Sequence, residues 1–443
     1  YGKEWIYSVI PNMGGKSGLT GKLDFYANGR LQALCSANKG NLTGYGMAPE
    51  GIENNEIIYE LVCDGGWTSE AIDMDKWLHN YSLCRYGNVP DEITEFWEGM
   101  RKSVYGSFTD HPRYNWQFRP GSIRKGSINA NDAFYQGIET LKNAIPAMKD
   151  SPLFAIDMIE MTAQYLGGKM EILVQAIDLA YQNGDMEKAA AMETEFKTLM
   201  LDTDRLLCSH PTLRLENWLL YARNWGSTPE LKDYYERNAR RIVTVWGPPV
   251  DDYSARIWSG LLRDYYMPRW KQYFTAKRTC KAFNIVAWEL SWVEKKRGLS
   301  KAEPYKDVLA GCAELIAHAK SIDNSLLKAM NGEQLGSWSP VDIDNDWKEV
   351  VWDIPVNKIA SLKGIRFQHI RGTAGVEIEE VILEMDGVEV CKIKQQGFTG
   401  KKNINNTYML NIPKDATGNN SCRLRVKVKS NGQGESYGTV IME

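Results

Sequence analysis

The carboxylate whose setting best suits chemistry is Glu50, within Gly44-Tyr45-Gly46-Met47-Ala48-Pro49-Glu50-Gly51-Ile52-Glu53-Asn54-Asn55-Glu56. A proline before it stiffens the backbone and a glycine after it leaves open space, so the side chain can aim an oxygen into a cleft. The same spacing also fits an ordinary loop carboxylate facing solvent. Glu56, six residues on, enters a helix, where capping or ion pairing is the simpler role. A second cluster is Val245-Trp246-Gly247-Pro248-Pro249, followed by Asp251, Asp252, Tyr253 and Trp258. Two prolines interrupt a helical stretch there, which puts Trp246 in a loop. It either plugs a helix junction or forms a wall for a sugar ring.

Other chemistries lack their residues. Gly14-Gly15-Lys16-Ser17 looks like a phosphate loop, but Ile10 stands where that motif needs its first glycine, so the segment reads as a tight turn after a strand. His79, His111, His210, His318 and His369 show no metal-ligand spacing, the eight cysteines include no C-x-x-C pair, and no G-x-S-x-G occurs. Neither a metal nor another cofactor is expected. Lys+Arg 53 against Asp+Glu 56 gives a net charge of −3, which supplies no basic field for nucleic acid. No apolar run reaches the length of a membrane span. The aromatic content, 11% with Trp 15 and Tyr 22, suits either helix packing or sugar-stacking platforms.

Three regions must position these residues, in keeping with a length of 443. Residues 1–68 read as α/β, with Trp5 to Ile10 and Glu56 to Cys63 as buried strand or helix starts between glycines, too short for a closed barrel. Residues 69–335 read as helical. Ser151-Pro152 opens a helix carrying Leu153, Ile156, Ile159, Ala163 and Leu166; a second runs from Met170 to Tyr181 and stops near Asn183-Gly184; a third runs from Ala189 to Leu206; Thr228-Pro229-Glu230 opens a fourth. Ala255 to Phe274 and Lys306 to Ala319 are also expected to be helical. Residues 336–443 read as a β-sandwich. Leu424, Val426 and Val428 alternate with Arg425, Lys427 and Lys429, and Asp386-Gly387 separates two strand-like runs as a hairpin turn.

Four motifs in order, Trp5 to Gly15 (WIYSVIPNMGG), Gly44 to Glu56 (GYGMAPEGIENNE), Thr244 to Pro248 (TVWGP) and Asp252 to Trp270 (DYSARIWSGLLRDYYMPRW), resemble glycoside hydrolase family 89, the α-N-acetylglucosaminidases. The resemblance covers roughly residues 1 to 335. It implies a multidomain fold: the C-terminal remnant of a (β/α)8 barrel, an all-α helical domain contributing to the active site, and, beyond the resemblance, a C-terminal β-sandwich. It implies a retaining exo-hydrolase that removes terminal α-linked N-acetylglucosamine from glycans with two glutamates. On this sequence the nucleophile would be Glu50, with Asn12, Trp246 and Tyr253 around the sugar. Ser17 stands where some relatives carry histidine, and no role is assigned to it. In the family the second glutamate sits on an earlier barrel strand, so the resemblance implies that it lies ahead of Tyr1; Glu56, six residues from Glu50, is not given that role. The implied partners are a glycan with terminal α-N-acetylglucosamine and the missing N-terminal part of the same protein. The expected location is secreted or periplasmic. A non-catalytic glycan-binding protein and a purely structural helical scaffold are the competing readings.

Overall fold

Strands β1 (Glu4–Val9) and β2 (Asn41–Met47) pair in parallel, joined by helix α1 (Leu23–Cys35), and β2 leads on to α2 (Glu56–Gly65). The computed structural model describes the chain except residues 1, 52–54, 108–111, 122–127, 129, 183, 248–251, 280, 296–298, 327–332, 401–402, 414–420 and 433. α2 buries Ile57, Ile58, Leu61 and Val62, a stripe at the helical period. β1 forms where a strand is expected, but it is not buried: Trp5 is 41% and Ile6 61% exposed. Among the described residues its strand neighbour is β2 alone, so its other edge carries no sheet.

The helices that follow are α3 (Met74–Tyr86), α4 (Asp91–Arg101), α5 (Asp132–Asn143), α6 (Ile145–Met148), α7 (Pro152–Gln182), α8 (Met186–Leu207), α9 (Leu215–Asn224), α10 (Pro229–Ile242), α11 (Met267–Thr279), α12 (Ile285–Val293) and α13 (Val308–Lys320). Local chemistry sets many ends. The Asp73 carboxylate accepts from the backbone N–H of Asp75 and Lys76 at the start of α3, and Gly87 closes it at φ 81°. The Thr228 hydroxyl accepts from Leu231 N–H at 3.3 Å, with Pro229 in the first turn of α10.

Two expectations fail here for packing reasons. The helices expected at 153–166 and 170–181 are one 31-residue helix, α7. Asn183, taken as part of its stop, lies outside the described residues. Gly167 and Gly168 do not end the helix but act as slots in its surface: a Cβ on Gly167 would lie 2.7 Å from the Tyr114 ring, and one on Gly168 2.6 Å from the Tyr135 hydroxyl. Gly167→Ala therefore sets a helix-propensity gain of about 1 kcal/mol against overpacking of about 1–3 kcal/mol. The ring cannot yield easily, since Tyr114 is buried and its hydroxyl donates to Gln164 O at 3.0 Å. The expected outcome is net destabilisation, read as a lower urea midpoint; an unchanged or raised midpoint would show that the slot has slack.

The second failed expectation is a helix over 255–274. Residues 255–258 are irregular and Ser259 makes an isolated bridge, its N–H donating to Leu213 O at 2.8 Å and its O accepting from Leu215 N–H at 2.9 Å. Ala255 sits at φ 41°, which a right-handed helix cannot contain. Helical structure resumes with a π-type turn over Leu262–Tyr266 that runs straight into α11.

The chain divides into two compact units, Tyr1–Asn324 and Ser325–Glu443. In the second, strands β3 (Glu333–Trp338), β4 (Lys348–Asp353), β5 (Gly364–Gly372), β6 (Val376–Met385), β7 (Val388–Ile393), β8 (Gly397–Thr399), β9 (Thr407–Met409), β10 (Cys422–Ser430) and β11 (Ser436–Met442) make two sheets. One has the order β3-β11-β5-β9; the other is β4-β10-β6-β7 with β8 on β6. Side chains of both sheets, including Phe367 and Val440 from one and Val381, Leu424 and Val426 from the other, share one hydrophobic core. The period-two pattern of β10 is realised as a dry face and an ion-paired face: Leu424, Val426 and Val428 are buried, while Lys427 meets Glu379 at 2.6 Å and Arg425 meets Glu384 at 3.2 Å. Asp386 (φ 48°) and Gly387 (φ 79°) turn the hairpin from β6 to β7, both left-handed as a two-residue hairpin loop requires. β3 starts ahead of residue 336; with Leu335 and Trp338 as its large apolar residues it carries little pattern, and pairing with β11 defines it.

Candidate active site

Beyond the ends of β1 and β2 the two loops stay zipped together. Ala48 N–H donates to Val9 O at 2.9 Å, and Glu50 N–H donates to Asn12 O at 3.0 Å. Gly14 and Gly15 then turn the first loop back at φ 70° and 67°. That left-handed pair lets Gly14 N–H donate to Glu50 Oε2 at 2.6 Å. No larger residue fits: a Cβ on Gly15 would lie 1.9 Å from the Arg256 guanidinium. The double glycine that mimics a phosphate loop therefore serves a carboxylate. Asn12 is buried within the turn, its Nδ2 donating to Lys16 O at 3.1 Å, and it lines an open cleft of about 470 Å3 with Tyr7, Ile10, Lys16, Phe25 and Tyr26.

The second wall comes from the segment after α10. Tyr253 Oη donates to Glu50 Oε2 at 2.8 Å across a sequence separation of 203. The Trp246 ring packs beside Tyr253 with centroids 5.2 Å apart, and Lys16 Nζ lies 3.8 Å from the Tyr253 ring centroid. The structure thus brings Glu50, Tyr253 and Trp246 together, with the Asn12 backbone bound to Glu50. Glu50 is exposed and Trp246 is 39% exposed, so the group lies on an open surface of this unit. Pro248, Pro249 and Asp251, like Ile52, Glu53, Asn54, His111 and Cys280, lie outside the described residues.

Trp246 (φ 44°), Asp252 (φ 55°) and Ala255 (φ 41°) all hold backbone conformations that non-glycine residues avoid. Each is fixed by specific bonds. Trp246 N–H donates to Arg241 O at 2.7 Å, Asp252 N–H to Thr244 O at 2.8 Å, and Gln117 Nε2 to Ala255 O at 2.7 Å. The segment is also stitched to the glycine turn: Ser254 Oγ donates to Gly14 O at 2.8 Å and Ile257 N–H to Ser17 Oγ at 2.9 Å. Ser17 O accepts from Gln164 Nε2 at 2.6 Å, so Ser17, left without a role on sequence grounds, is a tie between three segments. Gly14, Lys16, Ser17, Ser254 and Arg256 were not legible as site residues, because nothing local marks a residue whose partner is hundreds of positions away. The double glycine was the one signal available.

Gly14 N–H and Tyr253 Oη both donate to Glu50 Oε2, which orients the carboxyl group. Such a group can act as a nucleophile beside an aromatic wall. Glu56 sits elsewhere, in the first turn of α2, lining a small cavity with Asp157, Glu160, Tyr81 and Tyr105. Burial, with the Asp157 carboxylate adding to it, raises the Glu56 pKa above the usual range. Among the described residues no group of three or more His, Cys, Asp or Glu is placed to hold a metal, and no helix is long and apolar enough to cross a membrane.

Two family descriptions match this chain: the alpha-N-acetylglucosaminidase (NAGLU) C-terminal domain over residues 77–318 and the NAGLU tim-barrel domain over residues 1–69. The chain belongs to the alpha-N-acetylglucosaminidase family. Homo sapiens alpha-N-acetylglucosaminidase is 29% identical over 285 residues, which is 62% of this chain and 38% of that protein. A Family 89 glycoside hydrolase from Clostridium perfringens in complex with PUGNAc has a TM-score of 0.66 at 28% identity, covering 72% of this chain and 39% of that one. A Clostridium perfringens variant with two glutamates changed to glutamine, in complex with its substrate GlcNAc-alpha-1,4-galactose, has a TM-score of 0.66 at 27% identity, covering 74% and 40%. The chain thus spans about two-fifths of the length of these family relatives. Family membership and the helical and sheet content agree on a multidomain glycoside hydrolase architecture.

Proposed function

We propose that this chain is the C-terminal portion of a retaining exo-glycosidase that removes terminal α-linked N-acetylglucosamine from glycans, with Glu50 as nucleophile. The observation that carries the reading is the junction itself. Glu50 Oε2 is gripped by Gly14 N–H from one loop and by Tyr253 Oη from the helical segment, with Trp246 against that tyrosine. A carboxylate so held can attack the anomeric carbon and form a covalent glycosyl intermediate, which water then hydrolyses. Trp246 and Tyr253 wall the sugar, and Asn12 stands near its subsite.

A retaining mechanism needs a second carboxyl about 5–5.5 Å from the first, as acid and then as base. We assign it to the part of the barrel that this chain does not carry. In this reading residues 1–68 close a (β/α)8 barrel, 69–335 form the helical domain, and 336–443 form an accessory β-sandwich, in a secreted or periplasmic protein. The open edge of β1, with Trp5 and Ile6 exposed, supports further strands beside it. No metal or other cofactor has a role in this chemistry, which two carboxyl groups carry.

The reading is tested with an aryl α-N-acetylglucosaminide. The full-length protein should release the aryl group, whereas the 443-residue chain should not rise above buffer, since it offers no leaving group its proton. Turnover by the short chain at a full-length rate would place both carboxyls within it and overturn the assignment.

A further inference from the structure

We propose that the buried cluster of Arg269, Asp252 and Glu289 is a positioning device that aims the Tyr253 hydroxyl at Glu50. This rests on the proposed function only in so far as Glu50 is the reacting group. Arg269 is fully buried in the first turn of α11. Its Nη1 meets both Asp252 carboxylate oxygens at 3.0 Å and Glu289 Oε1 at 2.7 Å, and its Nη2 donates to Gln117 O at 2.9 Å and Phe118 O at 3.1 Å. Arg119 takes the other Glu289 oxygen at 2.7 Å.

A buried ion cluster is weak evidence of a stabilising role, because desolvating its charges offsets much of their attraction and an apolar replacement of equal volume often does as well. Its position supplies a different reason. Asp252 directly precedes Tyr253 and holds φ 55°, a conformation that costs about 1–3 kcal/mol in a non-glycine residue and persists only where the surroundings over-determine it. Every polar group of Asp252 is held: its N–H by Thr244 O, its O by Arg113 Nη1 at 3.1 Å, and its carboxylate by Arg269. The side chain of Tyr253 is only partly buried, with Trp246 and Lys16 against its ring, so its direction depends also on the peptide that carries it. The π-type turn over Leu262–Tyr266, just before α11, belongs to the same device: a wider turn rotates all that follows, and such turns recur at functional sites. Tyr265 and Arg269, four residues apart, share a helix face, and Arg269 Nη1 donates to Tyr265 Oη at 3.1 Å.

The test is a double-mutant cycle in the full-length enzyme. Asp252→Asn keeps the shape and an acceptor oxygen but removes the charge that holds Arg269, and Tyr253→Phe removes only the hydroxyl. Each should lower kcat by about 10- to 100-fold, the scale expected when a reacting group is misplaced by about 1 Å. KM for an aryl α-N-acetylglucosaminide should change by less than about threefold. The double variant should be no slower than either single one, because both remove the same hydrogen bond. If Asp252→Asn gives no folded protein, Arg269→Lys takes its place, keeping the charge and losing the fork that reaches both Asp252 and the backbone. A crystal structure of the Asp252→Asn chain provides a readout independent of activity, with Tyr253 Oη expected beyond hydrogen-bond reach of Glu50. Effects that multiply in the double variant, or a tyrosine that stays on Glu50 in that crystal, overturn the proposal. A wild-type enzyme with no turnover would instead sink the functional reading and leave the crystallographic test standing.

Discussion

Glu50→Gln in the full-length protein is expected to lower kcat by about 10^4-fold or more, the scale seen when a covalent nucleophile is removed. The amide is isosteric, and its Oε1 can still accept from Gly14 N–H and Tyr253 Oη, so the loop geometry survives. What disappears is the negative charge that, in the proposed role, would stabilise the oxocarbenium-like transition state and form the glycosyl ester. Binding of a terminal N-acetylglucosaminide, measured by calorimetry, should stay within about threefold, because a neutral ground-state sugar draws little from that charge. Hydrolysis persisting within about tenfold of wild type would exclude Glu50 as nucleophile. Wild-type binding without hydrolysis would favour the glycan-binding alternative, which needs no carboxylate at that point.

Arg269→Met is expected to destabilise the Tyr1–Asn324 unit by about 3–5 kcal/mol, the cost of removing one partner from a buried ion cluster. The upper end is the better expectation. One side chain serves two carboxylates, Asp252 and Glu289, together with two backbone carbonyls, and methionine satisfies none of them. Urea unfolding should show the earlier midpoint. A loss below about 1 kcal/mol would show that water reaches these carboxylates when the arginine is gone.

The regular elements were legible wherever their cause lies within a few residues. The Asp386-Gly387 turn follows from what left-handed φ demands, the alternation of β10 from the two-residue period of a strand, and the start of α10 from Thr228 capping its own first turn. The misread elements have distant causes. The stretch between Leu166 and Met170 reads as a gap between two helices until Tyr114 and Tyr135 are seen against its glycines, and residues 255–259 read as helical until Ser259 bridges to 213–215. β1 looks buried because its composition suits a strand with neighbours on both sides.

The candidate site divides in the same way. Glu50 between its proline and glycine, and Trp246 ahead of two prolines, stand out from local backbone chemistry; Asn12 and Tyr253 entered through the family motifs that contain them. By itself, then, the amino-acid sequence determined the three kinds of secondary structure along the chain, a family, and an acid worth testing, because caps, periods and turns are short-range effects. Only the tertiary structure decided that Tyr253 reaches Glu50 across 203 positions, that Lys16 lies against that tyrosine, and that Arg269 holds the peptide before it. Those contacts depend on how whole helices and loops pack, and side chains brought together by packing leave no period or motif in the chain between them.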